Sequence, residues 1–189
     1  MAAQWQQQGL DPEQLRLISA HLGAGASLAA IKGGVCIDTT MGYTPLEGLV
    51  MATRSGSVDP GLLLELMREG VGEAELANLL QKQAGLKGLS GLSGDMREIR
   101  EQAAAGHQGA LLALDVFRQR LLQLIGAMAA SLQGVDVLAL TGGIGEHDQS
   151  LRGELDEALA WLPNLELVIV PADEEGMIAR LCRRSTAVG

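Results

Sequence analysis

Hydrophobic and polar positions divide the chain into zones of different period. Residues 1–14 are polar and Gln-rich, with Asp11-Pro12 as a helix start or turn. Strand-like runs follow at Leu15–Ala20, Ser27–Lys32 and Val35–Asp38. Gly33-Gly34 joins the last two as a short-hairpin dipeptide, and Gly23 and Gly25 separate the first two, which predicts an antiparallel meander of three strands. Beyond Pro60 the period becomes helical. Leu62, Leu63, Leu66 and Met67 share a face, and Gly70 ends the run. Glu73–Ala84 reads as another short amphipathic helix and Gly85–Gly94 as a loop. Asp95 is placed to cap the helix that follows it. Gln108–Leu132 is the longest helical stretch, and its apolar positions cover more than one face, which predicts a central, buried helix. Val135–Leu140 predicts a buried strand, Ser150–Trp161 a helix, Leu165–Val170 a strand and Asp173–Arg183 a final helix.

The order is therefore three antiparallel strands, several helices, then β-α-β-α. Such an order gives an α/β fold with one mixed five-stranded sheet and helices packed on it. A polar segment over 1–14 would precede a single domain over 15–189. A core built by 47% apolar residues but only 2% aromatics must be Leu, Val, Ile, Ala and Met. The net charge of −9 argues against a nucleic-acid partner, which needs a basic face to displace counterions. The longest apolar region, Gly109–Leu132, is broken by Asp115, Arg118 and Arg120, so no membrane span is expected. Cys36 and Cys182 are far apart and lack metal-ligand spacing, which suggests a reducing, cytoplasmic setting. His107 and His147 likewise have no partner at ligand spacing.

Candidate chemistry concentrates in Gly-rich segments. The first is HLGAGAS at His21–Ser27, where glycines would let backbone N–H groups close on phosphate oxygens; the same residues also make a plain tight turn. The second is DTTMGYTPLEGLVMATRSGSVDP, Asp38–Pro60, which sets one isolated arginine, Arg54, among glycines at 42, 48 and 56. A guanidinium there can fork onto phosphoryl oxygens, or it can be an ordinary surface salt bridge. In SGDMR, Asp95 could accept from a ribose hydroxyl and Arg97 lie flat against a base, or the pair could be a helix cap with a solvated arginine. TGGIGE at Thr141–Glu146 follows a buried strand, placing glycines at a strand's carboxyl end, where sheet proteins bind ligands. It matches neither the dinucleotide fingerprint nor a P-loop. Asp173-Glu174-Glu175 suits the dipole of a helix start, and equally a Mg²⁺ ion held by one carboxylate.

The order of these segments is more specific than any one of them. HLGAGAS, the Asp38–Pro60 block, SGDMREI, LTGGIGEH and VPADEEGMIAR together resemble the acetate kinase family, over about Arg16–Arg180. The resemblance is to the carboxyl-terminal half of that family's two-domain plan. It implies a ribonuclease H-like domain of the actin, sugar kinase and heat-shock ATPase superfamily, with helices on both faces of the sheet. It implies phosphoryl transfer between ATP and a short-chain carboxylate such as acetate or propionate. By the same resemblance, His21, Leu22, Gly23, Ala24 and Gly25 would form the phosphate-facing ATP loop. Asp95, Met96, Arg97, Gly143, Ile144, Gly145, Glu146 and His147 would line the adenosine pocket. Arg54 would stabilise the transferring phosphoryl, and Glu174 would be the Mg²⁺ ligand. A homodimer is also implied.

Departures from the family pattern are Ala24 and His147, both where the family usually has Asn, and a shortened Glu146–Glu174 segment. The family's amino-terminal half carries the carboxylate-binding arginine, a catalytic aspartate and a histidine. No counterpart of these is expected on this chain. Two readings follow. Either the chain works with a separate amino-terminal half as a phosphotransferase, or it is a non-catalytic nucleotide-binding or interaction module.

Overall fold

Paired glycines set the first turn. In the computed structural model, which describes residues 11, 13–173, 175–176, 178–179 and 182–183, Gly33 and Gly34 have φ of +56° and +81°. Positive φ at both central residues is what a two-residue turn needs to match the twist of its strands. It joins β2 (Ala26–Lys32) to β3 (Val35–Thr39) in the register Lys32↔Val35. The turn Gly23–Gly25 joins β1 (Arg16–Leu22) to β2 in the register Leu22↔Ala26. The predicted meander is therefore present, with β1 running two residues beyond its expected end at Ala20.

β4 (Val137–Thr141) then lies parallel to β1, and β5 (Glu166–Ile169) parallel to β4, giving the order β3-β2-β1-β4-β5. Alternate residues Ile18, Ala20 and Leu22 of β1 and Ala26, Leu28 and Ala30 of β2 are buried on one face. The longest helix, numbered α5 below (Gln108–Leu132), packs there. Its buried stripe is Ala110, Ala113, Phe117, Leu121, Ile125, Met128 and Leu132, the spacing of one helix face. Leu111 and Leu112 stay exposed, so the helix is central but not buried all round. On the opposite face of the sheet, Leu15 and Val137 form a small second cluster with Leu17 and Val168.

Shorter helices precede α5: α1 (Pro60–Arg68), α2 (Glu73–Asn78), α3 (Gly85–Ser90) and α4 (Met96–Ala104). A π-helical turn, Leu79–Gln83, continues α2. α1 buries none of its residues, and Leu62, Leu64 and Met67 face outward. α3 corrects the expectation of a loop over Gly85–Gly94. Its N–H groups at Leu86 and Lys87 donate to the carbonyls of Met51 (2.9 Å) and Ala52 (3.0 Å), and Leu86 is fully buried. A partner segment from another part of the chain thus satisfies donors that an isolated turn would leave open. α6 (Gly142–His147) starts directly at the end of β4, and α7 (Gln149–Ala158) follows it. Residues 175–176, 178–179 and 182–183 are helical, within the predicted final helix.

Candidate functional site

β1 and β4 are parallel neighbours whose chains leave in opposite directions, β1 turning back into β2 and β4 running into α6. Their carboxyl ends meet, with His21 paired to Thr141. A crevice opens at such a point because no crossover fills it. Here it is a cleft of about 810 Å³. Gly23 and Ala24 of the β1–β2 turn, Ala52, and Gly94–Arg97 with Arg100 form one side; Gly143, Ile144 and His147–Ser150 form the other.

Close backbone contacts hold the base of the cleft. The Ala52 N–H donates to the Ala24 carbonyl (3.1 Å), and Gly23 N–H donates to the Gly25 carbonyl (3.0 Å). A β-carbon at Gly94 would come within 2.6 Å of the Ala52 carbonyl oxygen, so this glycine permits the approach. Arg54 lies beside this base, outside the lining. Its Nη1 is 3.9 Å from the Met51 Sδ and would be 3.5 Å from a β-carbon at Gly25. Among the described residues no carboxylate pairs with it, unlike Arg16, Arg68, Arg97, Arg100 and Arg118. Among the described residues, then, Arg54 does not form the surface salt bridge that would make it ordinary.

Asp95 caps α4, accepting from the Arg97 N–H at 2.9 Å, and its carboxylate also takes the Arg97 guanidinium at 3.1 and 2.6 Å. Those bonds, the side-chain one foremost, hold the Asp95 carboxyl at about 2, and Asp95 in turn raises the Arg97 pKa. Asp95, Met96 and Arg97 all line the cleft, so the helix cap is at the same time part of its wall. The Arg97 side chain is mostly exposed, so its guanidinium plane is presented to solvent in the cleft.

Other expected site residues are placed differently. Leu22 is fully buried in the core, leaving only its backbone near the turn. The His21 ring stands between Gly23 and Gly142, where a β-carbon on either would come within 3.4 or 3.1 Å of it. Gly145 is buried against Leu140. Glu146 does not line the cleft: its Oε1 accepts from the N–H groups of Gly142 and Ala172, both at 3.0 Å. It ties the start of α6 to the segment after β5. His147 lines the cleft with its Nδ1 3.1 Å from the Gly143 carbonyl. Glu174, the expected Mg²⁺ ligand, lies outside the described residues. Among the described residues no group of three or more His, Cys, Asp or Glu side chains could cage a metal ion. Mg²⁺ bound with nucleotide phosphates needs only one or two carboxylates, so the acidic Asp173–Glu175 segment suits that kind of ion and no all-protein cage.

Sequence reasoning passed over Ala52, Arg100, Asp148, Gln149 and Ser150, which also line the cleft. Arg100 was the most legible of these, standing one helical turn after Arg97 and so on the same face. Ala52 carries no chemical signal of its own.

The profile of the acetokinase family matches residues 4–167. The acetate kinase of Acaryochloris marina is 56% identical over 78% of this chain and 37% of its own length. That of Phocaeicola vulgatus is 41% identical over 90% of this chain and 49% of its own. Porphyromonas gingivalis acetate kinase overlays with a TM-score of 0.89 at 39% identity, covering 95% of this chain and 51% of that one. A propionate kinase from Francisella tularensis overlays with 0.85 at 35% identity, covering 94% and 50%. The chain spans about half or less of the length of these relatives, and by sequence and fold it belongs to the acetokinase family.

Proposed function

We propose that this chain supplies the nucleotide-binding wall of an acetate kinase-type phosphotransferase, which moves the ATP γ-phosphoryl to a short-chain carboxylate and yields ADP and an acyl phosphate. The observation that carries this reading is the gathering of Gly23 and Ala24, of Gly94–Arg97, and of Gly143, Ile144 and His147, distant in sequence, on one cleft at the ends of β1 and β4. Adenosine would lie between Arg97 and the α6–α7 wall. The phosphates would extend toward the Gly23–Gly25 turn and Arg54. Catalysis of this kind is positioning plus charge neutralisation, and a guanidinium with no carboxylate partner among the described residues can offset charge on the transferring phosphoryl. Mg²⁺ would arrive as the MgATP substrate and neutralise phosphate charge, with Glu174 as its protein ligand. The carboxylate would be held by the amino-terminal half of the family's two-domain plan, with acetate and propionate as the substrate class. A homodimer in the cytoplasm completes the reading.

A non-catalytic nucleotide module is the second reading. Ala24 favours it, because this lining residue has no side-chain hydrogen-bond donor to offer a phosphate. Titration calorimetry with MgATP and hydroxamate detection of acyl phosphate separate the two, with and without an amino-terminal half taken from a relative. The chain alone should bind MgATP weakly and turn over negligibly, and the added half should restore turnover. Arg54→Ala in the reconstituted enzyme should lower the rate by about 10³-fold and leave ATP affinity within about threefold. Vigorous acyl phosphate formation by the lone chain would defeat the split-site reading. Nucleotide binding with no turnover in the presence of the added half would favour the second.

A further inference from the structure

The two walls of the cleft come from α4 and from the α6–α7 elbow. Among the described residues no backbone hydrogen bond joins them. Both pack into the shared hydrophobic core, through Met96 and Ile99 on one side and Leu151 and Leu155 on the other, and among the described residues the side chain that ion-pairs them is Arg100. Its Nε donates to Asp148 Oδ2 at 3.0 Å and its Nη1 to Glu154 Oε1 at 2.6 Å. Asp148 stands at the elbow: its Oδ1 accepts from the Leu151 N–H at 3.0 Å, capping α7, and its own N–H donates to the Ile144 carbonyl at 2.9 Å. Arg100 and Asp148 are mostly removed from solvent, with side chains 24% and 10% exposed. Burial disfavours the guanidinium charge, and the two carboxylates more than offset this, raising the Arg100 pKa.

A planar, forked cation between two carboxylates fixes distance and orientation together, which a lysine ammonium cannot do. The Asp95–Arg97 and His147–Ser150 lining residues are attached to the two elements that this fork connects. Resting on the nucleotide reading above, we propose that Arg100 is a positioning residue: through Asp148 and Glu154 it sets the width of the slot for the adenine base, and thereby the preference for a nucleotide over a bare polyphosphate chain. By the same reading the phosphates would find their partners at the β1–β2 turn, so widening the slot should harm base recognition and spare phosphate recognition. A residue needed merely for folding would weaken both together.

The test compares MgATP with magnesium tripolyphosphate by calorimetry on the wild-type chain and on Arg100→Met, Arg100→Lys and Glu154→Gln, with circular dichroism as a check on folding. Arg100→Met should raise the ATP Kd about tenfold, equivalent to ~1.4 kcal/mol, and leave the tripolyphosphate Kd within about twofold. Arg100→Lys, able to keep one partner, should fall between. Glu154→Gln keeps an acceptor and the Asp148 pair; it should show the same ligand split at about threefold and carries the test if Arg100→Met does not fold. Equal weakening of both ligands, or unchanged ATP affinity in folded variants, overturns the inference alone. A wild-type chain that binds tripolyphosphate as tightly as ATP overturns the inference, and one that binds no ATP overturns the nucleotide reading with it.

Discussion

Gly85 is the position where one added methyl should do most damage to the cleft from outside it. Its φ is +62°, and a β-carbon there would stand 2.6 Å from the Arg54 carbonyl oxygen and closer still to that of Met51. Ordinary contact begins at 3.4 Å, so in Gly85→Ala the Met51–Arg54 loop must retreat by roughly 1 Å. That loop carries the Arg54 guanidinium, and through Ala52 it supports the Ala24 turn. Gly91 is the internal control. Its φ is +69°, nearly the same, with nothing within 4 Å of the added carbon. Gly91→Ala therefore measures the left-handed backbone cost alone, about 1 kcal/mol. Gly85→Ala adds the steric displacement and should cost about 3–4 kcal/mol, a large share of a typical domain stability of ~5–15 kcal/mol. Urea denaturation of the three chains gives the two differences directly. In reconstituted enzyme a 1 Å shift of Arg54 should lower the rate by up to ~10²-fold, with little effect from Gly91→Ala. Equal stability losses at the two glycines would refute the reasoning, because only the contact with the Met51–Arg54 loop distinguishes them.

The remaining predictions concern the charges around the cleft. The Asp95 carboxyl is lowered to about 2 by the Arg97 bonds, so its stabilising contribution is present above the unfolded carboxyl pKa near 4 and is lost as pH falls toward 2. Carbon-detected NMR should find the Asp95 midpoint near 2 in the wild type and closer to 4 in Arg97→Met; an unchanged midpoint would remove Arg97 as the cause. Glu146→Ala leaves the Gly142 and Ala172 N–H groups without their acceptor and should cost about 1–3 kcal/mol in urea denaturation, with Glu146→Gln costing less because it retains an oxygen. Equal losses for the two variants would argue against the double acceptor role.

Much of the architecture was legible because local patterns and tertiary demands agree. The Gly33-Gly34 turn, the Asp95 cap and the 108–132 helix are each encoded within a few residues, by backbone freedom, a short acceptor side chain and sustained helical period. The 85–90 helix was misread for the opposite reason. Its glycines weaken local propensity, and its first N–H groups are satisfied by Met51 and Ala52, more than thirty residues earlier. Expected site residues divided along the same line. Asp95, Met96, Arg97 and Ile144 carry their signal in their own segments and do line the cleft. Glu146 belongs to such a segment yet turns its carboxylate to the backbone, because two N–H groups from distant parts of the chain converge on it.

By itself the sequence determined the three-strand meander, the long 108–132 helix, the positions of the sharp turns and the family. Each of these follows from periodicity, glycine residues or motif order, none of which needs a distance between remote residues. Only the tertiary structure decided that β1 and β4 lie side by side, that Ala52 lines the cleft, that Arg54 has no carboxylate partner among the described residues, and that Arg100 bridges the two walls. Those facts depend on which carbonyls, carboxylates and faces the packed chain brings within a few ångströms. Coulomb and hydrogen-bond energies are set by that spacing and by burial, and neither quantity is written in the local order of residues.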